Sequence, residues 1–157
     1  MSLIVDVSSD GVRTPVSRVR LRQVATAVLE AERVRDALVS ITLVSAQRIA
    51  RLNRRHLGHA GPTDVISFTL GTIPGSSPQP IVGDIYIAPA VARENAAHFG
   101  RGVREEMTRL VVHGTLHVLG YDHPDGADRT ASPMWRRQER LLSRLHGRRK
   151  ASGARLR

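Results

Sequence analysis

The spacing of apolar residues divides the chain into short strands and amphipathic helices. Residues 3–7 (Leu-Ile-Val-Asp-Val) read as a first strand. Between positions 16 and 34 the apolar residues Val16, Val19, Val24, Ala27, Val28 and Ala31 recur near the helical period, so a helix is expected there. Residues 38–44 alternate apolar with small polar side chains, as a half-buried strand does. A short arginine-rich helix is expected over 47–57, then a strand over 64–70 and another over 81–87. Residues 71–80, rich in Gly, Pro and Ser, separate those strands as an expected mobile loop. Pro89 suits the first turn of a helix running to about Phe99, closed by Gly100. Two more helices follow, over 103–119 and from Ser132 to Leu145, with Pro133 at the first position of the last one. The order β-α-β-α-β-β-α-α-α implies an α+β fold, a single mixed sheet of about four strands with helices packed on it and no domain boundary.

Candidate chemistry sits at the end of the 103–119 helix, in the run His113-Gly114-Thr115-Leu116-His117-Val118-Leu119-Gly120-Tyr121-Asp122-His123. His113 and His117 are one turn apart on one helical face. Gly120 can end the helix in the left-handed conformation, and the turn can bring His123 back toward the other two. Three converging imidazoles form an open metal site, with a fourth position left for water. The spacing matches the metalloprotease pattern H-E-x-x-H-x-x-G-x-x-H except that Gly114 replaces the glutamate that would act as general base. The metal is kept and the peptidase is disfavoured. Glycine inside a helix costs about 1 kcal/mol relative to alanine, so Gly114 has a reason to be there, either clearing space beside the metal or letting another backbone approach.

Composition narrows the partners. The 157 residues suffice for one domain with a real core, and 41% are hydrophobic. With no cysteine, neither disulfides nor thiolate ligands are available, which fits a reducing cytosol and leaves histidine and carboxylate as ligands. No apolar run approaches the roughly 20 residues needed to span a bilayer, and residues 1–7 lack the features of a signal peptide. Lys and Arg number 24 against 14 Asp and Glu, a formal charge of +10. Such a field attracts polyanions, and nucleic acid is the expected one, although GC-rich coding could also supply an arginine excess. Aromatics make up only 3%, so contact should be mainly to phosphate rather than by base stacking. The segment 148–157 is basic and expected to be disordered, leaving 1–147 as the domain.

The histidine run resembles the YbeY family of bacterial endoribonucleases, and the likeness extends further. Pro62-Thr63-Asp64-Val65-Ile66-Ser67-Phe68 is similar to that family's P-T-D-V-L-S-F strand, and Gly83-Asp84-Ile85 to its G-D-I strand, followed by the helix with Ala92 to Phe99. Leu52-Asn53, Met134 and Gln138-Glu139 fit its L-N entry and last helix. The resemblance implies a zincin-like fold, one zinc ion per chain held by His113, His117 and His123, and cytoplasmic cleavage of single-stranded RNA. It further implies maturation of ribosomal RNA at the 3′ end of the small-subunit RNA, ribosome quality control and association with small-subunit components. No oligomeric state is implied. One departure stands out. Where the family carries arginine in N-x-x-Y-R-G, this chain has Leu57, in Asn53-Arg54-Arg55-His56-Leu57-Gly58. Arg54 and Arg55 are the nearest substitutes for a phosphate contact, or else exposed charges at a helix end.

Zinc on three neutral imidazoles can polarise a phosphoryl oxygen and lower the pKa of water to about 7. Attack by water and attack by the RNA 2′-hydroxyl both remain open. Asp122 could orient a ligand or take a proton, or could simply cap its own turn. Asp64 and Asp84 read as structural, and Tyr121 could offer a hydroxyl or pack under the metal. Two other classes compete: a non-catalytic ribosome-assembly factor with structural zinc, and a metalloprotease.

Overall fold

In the computed structural model the described residues are 2–57, 63–71, 80–124 and 126–154; the side chains of 57, 71, 127 and 148–154 are outside that description. The expected loop is outside it over 72–79, as are Gly58 and Pro62. The elements are β1 (Leu3–Ser9), α1 (Arg18–Ala31), β2 (Ala37–Leu43), α2 (Ala46–Leu57), β3 (Val65–Gly71), β4 (Ile81–Ile87), α3 (Pro89–His98), α4 (Val103–Val118) and α5 (Pro133–Ala154). A 3₁₀ turn over Gly126–Ala131, not foreseen from the periodicity, joins the histidine run to α5. No helix among the described residues is long and apolar enough to cross a membrane.

The four strands form one mixed sheet in the order β1-β2-β4-β3. β1 and β2 are parallel, as are β2 and β4, while β3 runs antiparallel to β4 with an irregularity between Thr69 and Gly71. Alternation decides the faces. Ala37, Val39, Ile41 and Leu43 of β2 are buried, and with Val5, Ile85 and Ile87 they meet Leu21, Val24, Val28 and Leu29 of α1 and Met107, Val111 and Leu116 of α4. A smaller cluster on Val44, Ile49, Ile66 and Ala88 includes α2 residues and the flanking side chains of Phe68 and Tyr86.

Two helix boundaries differ from the periodicity. α1 starts later than residue 16 because Ser17 caps it, accepting from the Arg20 amide at 3.1 Å. α5 runs beyond Leu145 to Ala154, because Gly147 is only a weak interruption and no proline follows.

α4 is the central helix and carries the chemistry. Nearly every residue of its second half is buried, including His113, Gly114, Thr115 and Leu116. Glycines set its distance from the sheet. A Cβ on Gly114 would lie 2.9 Å from Ile85 Cγ2 and 3.1 Å from Ser67 Oγ, and a Cβ on Gly83 would lie 2.4 Å from Val118 Cγ1. Gly114 therefore serves close helix–sheet approach. The hydroxyls of Ser67 and Thr69 on β3 donate to the carbonyls of Gly114 and Val118, each at 3.1 Å.

Candidate metal centre

The end of α4 aims the histidines. Gly120 has φ +98°, in the region glycine enters without a Cβ penalty. Its amide donates to the His117 carbonyl at 3.0 Å, and the Tyr121 amide donates to the Leu116 carbonyl at 3.1 Å. These two bonds make a Schellman closure, which turns the chain sharply enough to return His123 to α4.

The three rings meet through their Nε2 atoms. His113 Nε2 lies 3.1 Å from His117 Nε2 and 3.3 Å from His123 Nε2. Ligands about 2.1 Å from a tetrahedral metal would be about 3.4 Å apart, so the spacing fits one ion. The remaining ring nitrogens are all engaged with oxygen. His113 Nδ1–H donates to Gln138 Oε1 at 2.8 Å, His117 Nδ1–H to the Tyr121 carbonyl at 2.9 Å, and His123 Nδ1–H to the Pro124 carbonyl at 3.1 Å. These acceptors fix the Nδ1–H tautomer and leave three Nε2 lone pairs facing one another, an arrangement that a cation relieves. His113, His117 and His123 form a group able to hold a metal ion.

Burial reinforces the neutral state. It is the largest cause holding His113 down at about 3, with the charges of His117, Arg129 and His123 acting in the same direction and the Gln138 bond opposing. His117 is also lowered, first by burial, with the hydrogen bond to Tyr121 opposing. Neutral imidazole is the metal-binding form.

The histidines open into a cleft of about 500 Å³, whose wall includes Asn53, Asp64, Ser67, Asp122 and Arg129. Of the other sequence candidates, Asp122 stands at the exposed lip, and its Oδ1 accepts from the His123 amide at 2.8 Å, capping the turn. Asp64 accepts from Asn95 Nδ2 at 3.1 Å, joining β3 to α3 at the cleft wall. Asp84 lies along β4, opposite Ser40 and Phe68 in the sheet register and away from the cleft lining. Tyr121 turns its hydroxyl to Glu32 at the end of α1 (2.9 Å), and Glu32 also accepts from Arg137 of α5. Arg54 and Arg55 are exposed in the last turn of α2 and line a separate hollow with Arg48, Arg51 and Leu52.

Two contributors carried little sequence signal of their role. Gln138 stands on the buried stripe of α5 with Met134, Leu141 and Leu142, and a polar residue on such a stripe is the clue that could have marked it. Arg129 reaches the cleft from the 3₁₀ turn, where no periodic pattern announces it.

The family model described as endoribonuclease YbeY matches residues 7–146. The chain is 38% identical over 156 residues to endoribonuclease YbeY of Bacillus licheniformis, covering 92% of this chain and 96% of that one. It is 34% identical to endoribonuclease YbeY of Frankia alni, covering 96% and 87%. A solution structure of TM1509 from Thermotoga maritima superposes with a TM-score of 0.59 at 26% identity, covering 95% of this chain and 93% of that one.

Proposed function

This chain belongs to the YbeY family of endoribonucleases, and we propose that it is itself a zinc-dependent endoribonuclease that cuts single-stranded RNA during ribosomal RNA maturation. The observation that carries the reading is the convergence of three Nε2 atoms whose partner nitrogens are all held by oxygen acceptors. The hard–soft balance of three imidazoles and no thiolate suits zinc. His113, His117 and His123 would hold the zinc, which would supply Lewis-acid polarisation of a phosphoryl oxygen and a lowered water pKa.

The chain's own residues do the rest. Gln138 and the Tyr121 carbonyl hold the rings of His113 and His117 in position. Asp122 pins His123 through its amide and is the exposed carboxylate at the lip that can take a proton. The arginines of α2, Arg54 and Arg55 with Arg48 and Arg51, form a basic face that contacts flanking RNA phosphates away from the histidines. Residues 1–147 are the catalytic unit and the basic segment 148–157 adds phosphate contacts. The substrate is the 3′ end of small-subunit RNA, met in the cytoplasm together with small-subunit components, where the enzyme also serves ribosome quality control.

Two rivals are weaker on physical grounds. A peptidase needs a glutamate at Gly114, and even a Cβ there would press on Ile85. A purely structural zinc is ordinarily closed by four protein ligands, whereas this group has three histidines at an open cleft. The deciding experiment measures metal content alongside cleavage of a single-stranded ribosomal RNA fragment and of a peptide library. RNA cleavage that disappears on chelation and returns with zinc supports the proposal. A zinc-loaded protein that leaves RNA intact refutes it.

A further inference from the structure

Arg54 and Arg55, the sequence candidates for a phosphate contact, line a hollow separate from the histidine cleft. Among the described residues that line the histidine cleft, Arg129 is the arginine. It also borders the narrow gap beneath the rings, beside His113, His123, Trp135 and Gln138. Its backbone is pinned. The Arg129 carbonyl accepts from Ser132 Oγ at 2.7 Å and from the Ser132 amide at 3.2 Å. Ser132 is buried, and its Oγ in turn accepts from the Trp135 amide at 3.2 Å, capping α5. A long side chain therefore springs from a fixed base at the cleft.

Asp64 and Asp122 line the same cleft as Arg129, yet neither is joined to it by an ion pair. Arg101, Arg109 and Arg137 each pair with a glutamate. No carboxylate among the described residues forms an ion pair with Arg129, although its field reaches His113 and His117. A metal dication on the histidines would add to the positive charge. An anion bound between the two would relieve both, and a phosphodiester presents non-bridging oxygens to a metal and to a guanidinium fork at once.

We propose that Arg129 is the phosphate-binding residue of this site, gripping the non-bridging oxygens of the scissile phosphodiester from the 3₁₀ turn, beside the three histidines that would hold the metal. The inference rests on reading the cleft as the place of RNA cleavage. Arg129 then both positions the substrate and stabilises charge developing on phosphorus oxygens.

The test uses the full-length zinc-loaded protein and its Arg129→Ala and Arg129→Lys variants. Three quantities are read: zinc affinity, binding of inorganic phosphate by calorimetry, and single-turnover cleavage of single-stranded RNA with KM and maximal rate separated. Arg129→Ala should keep its zinc, lose phosphate binding and lose about 100-fold in maximal rate, the usual effect of removing one positioned donor. Arg129→Lys should recover part of the phosphate binding but less of the rate, because lysine keeps the charge without the bidentate fork. An Arg54→Ala/Arg55→Ala protein should instead raise KM. Phosphate binding unchanged in Arg129→Ala overturns the proposal, and so does loss of zinc in that variant. If the wild type cleaves no RNA, the endoribonuclease reading falls, and the phosphate titration still decides Arg129 by itself.

Discussion

Replacing Gln138 by leucine removes one hydrogen bond and tests whether α5 governs the metal. In the native protein His113 Nδ1–H donates to Gln138 Oε1 at 2.8 Å, with the side chains of both residues almost wholly out of water. Leucine has similar volume and offers no acceptor. The Nδ1–H then stays buried without a partner, which costs about 1–3 kcal/mol. The ring can escape by moving its proton to Nε2, but that places a hydrogen where the metal lone pair must be. Either route weakens the site. Loss of an orienting partner typically costs about 10- to 100-fold in metal affinity. Zinc affinity, measured by competition with a chromophoric chelator, should therefore fall by that factor in Gln138→Leu, and the metal-free protein should unfold at lower urea. Gln138→Glu, which restores an acceptor, should recover most of the affinity. A Gln138→Leu protein with native zinc affinity would refute the claim that this bond fixes the tautomer.

Other outcomes follow from the same geometry. His117→Ala should lower zinc content sharply by elemental analysis, and should lower thermal stability in zinc, since a ligand at 100 times its Kd adds about 2.7 kcal/mol to the native state; full occupancy would sink the ligand assignment. Because His113 is held well below the usual 6.5, the unfolded chain binds its proton first as the pH falls. The metal-free protein should thus be stable above 6.5 and lose up to about 1.4 kcal/mol per pH unit from this group between there and about 3, and urea titrations at two pH values would show the slope or its absence. RNA affinity should drop steeply with salt through counterion release, and truncation after Gly147 should flatten that dependence without changing zinc content; a salt-independent affinity would remove phosphate contact from the account.

What could be read from sequence was local. The order of strands and helices, the Gly120 turn and the three histidines able to hold a metal are each encoded within one or two turns of chain. The strand order β1-β2-β4-β3 is not, because alternation tells which face is buried and not which strand lies beside it. The acceptor for His113 comes from 25 residues away, and the Tyr121–Glu32 bond spans 89. Neither residue's own neighbourhood announces its partner. Gly114 was ambiguous for a similar reason: its role is written in Ile85, Ser67 and Val65, on strands distant in sequence. Arg129 was hidden by an irregular turn, where position depends on the cap at Ser132 rather than on a period.

These long-range bonds make the metal centre a property of the whole fold. His113 answers to α5 through Gln138. His117 answers to the Tyr121 carbonyl, and Tyr121 is tethered through its hydroxyl to Glu32 on α1, which Arg137 of α5 also holds. The ends of α1, α4 and α5 therefore share one network that terminates on two of the three converging histidines. Gly114 and Gly83 add the fourth side, seating α4 against β3 and β4 so that the Ser67 and Thr69 hydroxyls bond into its backbone. The same close seating that fixes the ligands leaves no room for a glutamate beside His113. A helix set this deep can hold a metal rigidly, and under the proposed function the groups that handle protons and phosphate come from the cleft rim, where Asp122 and Arg129 stand.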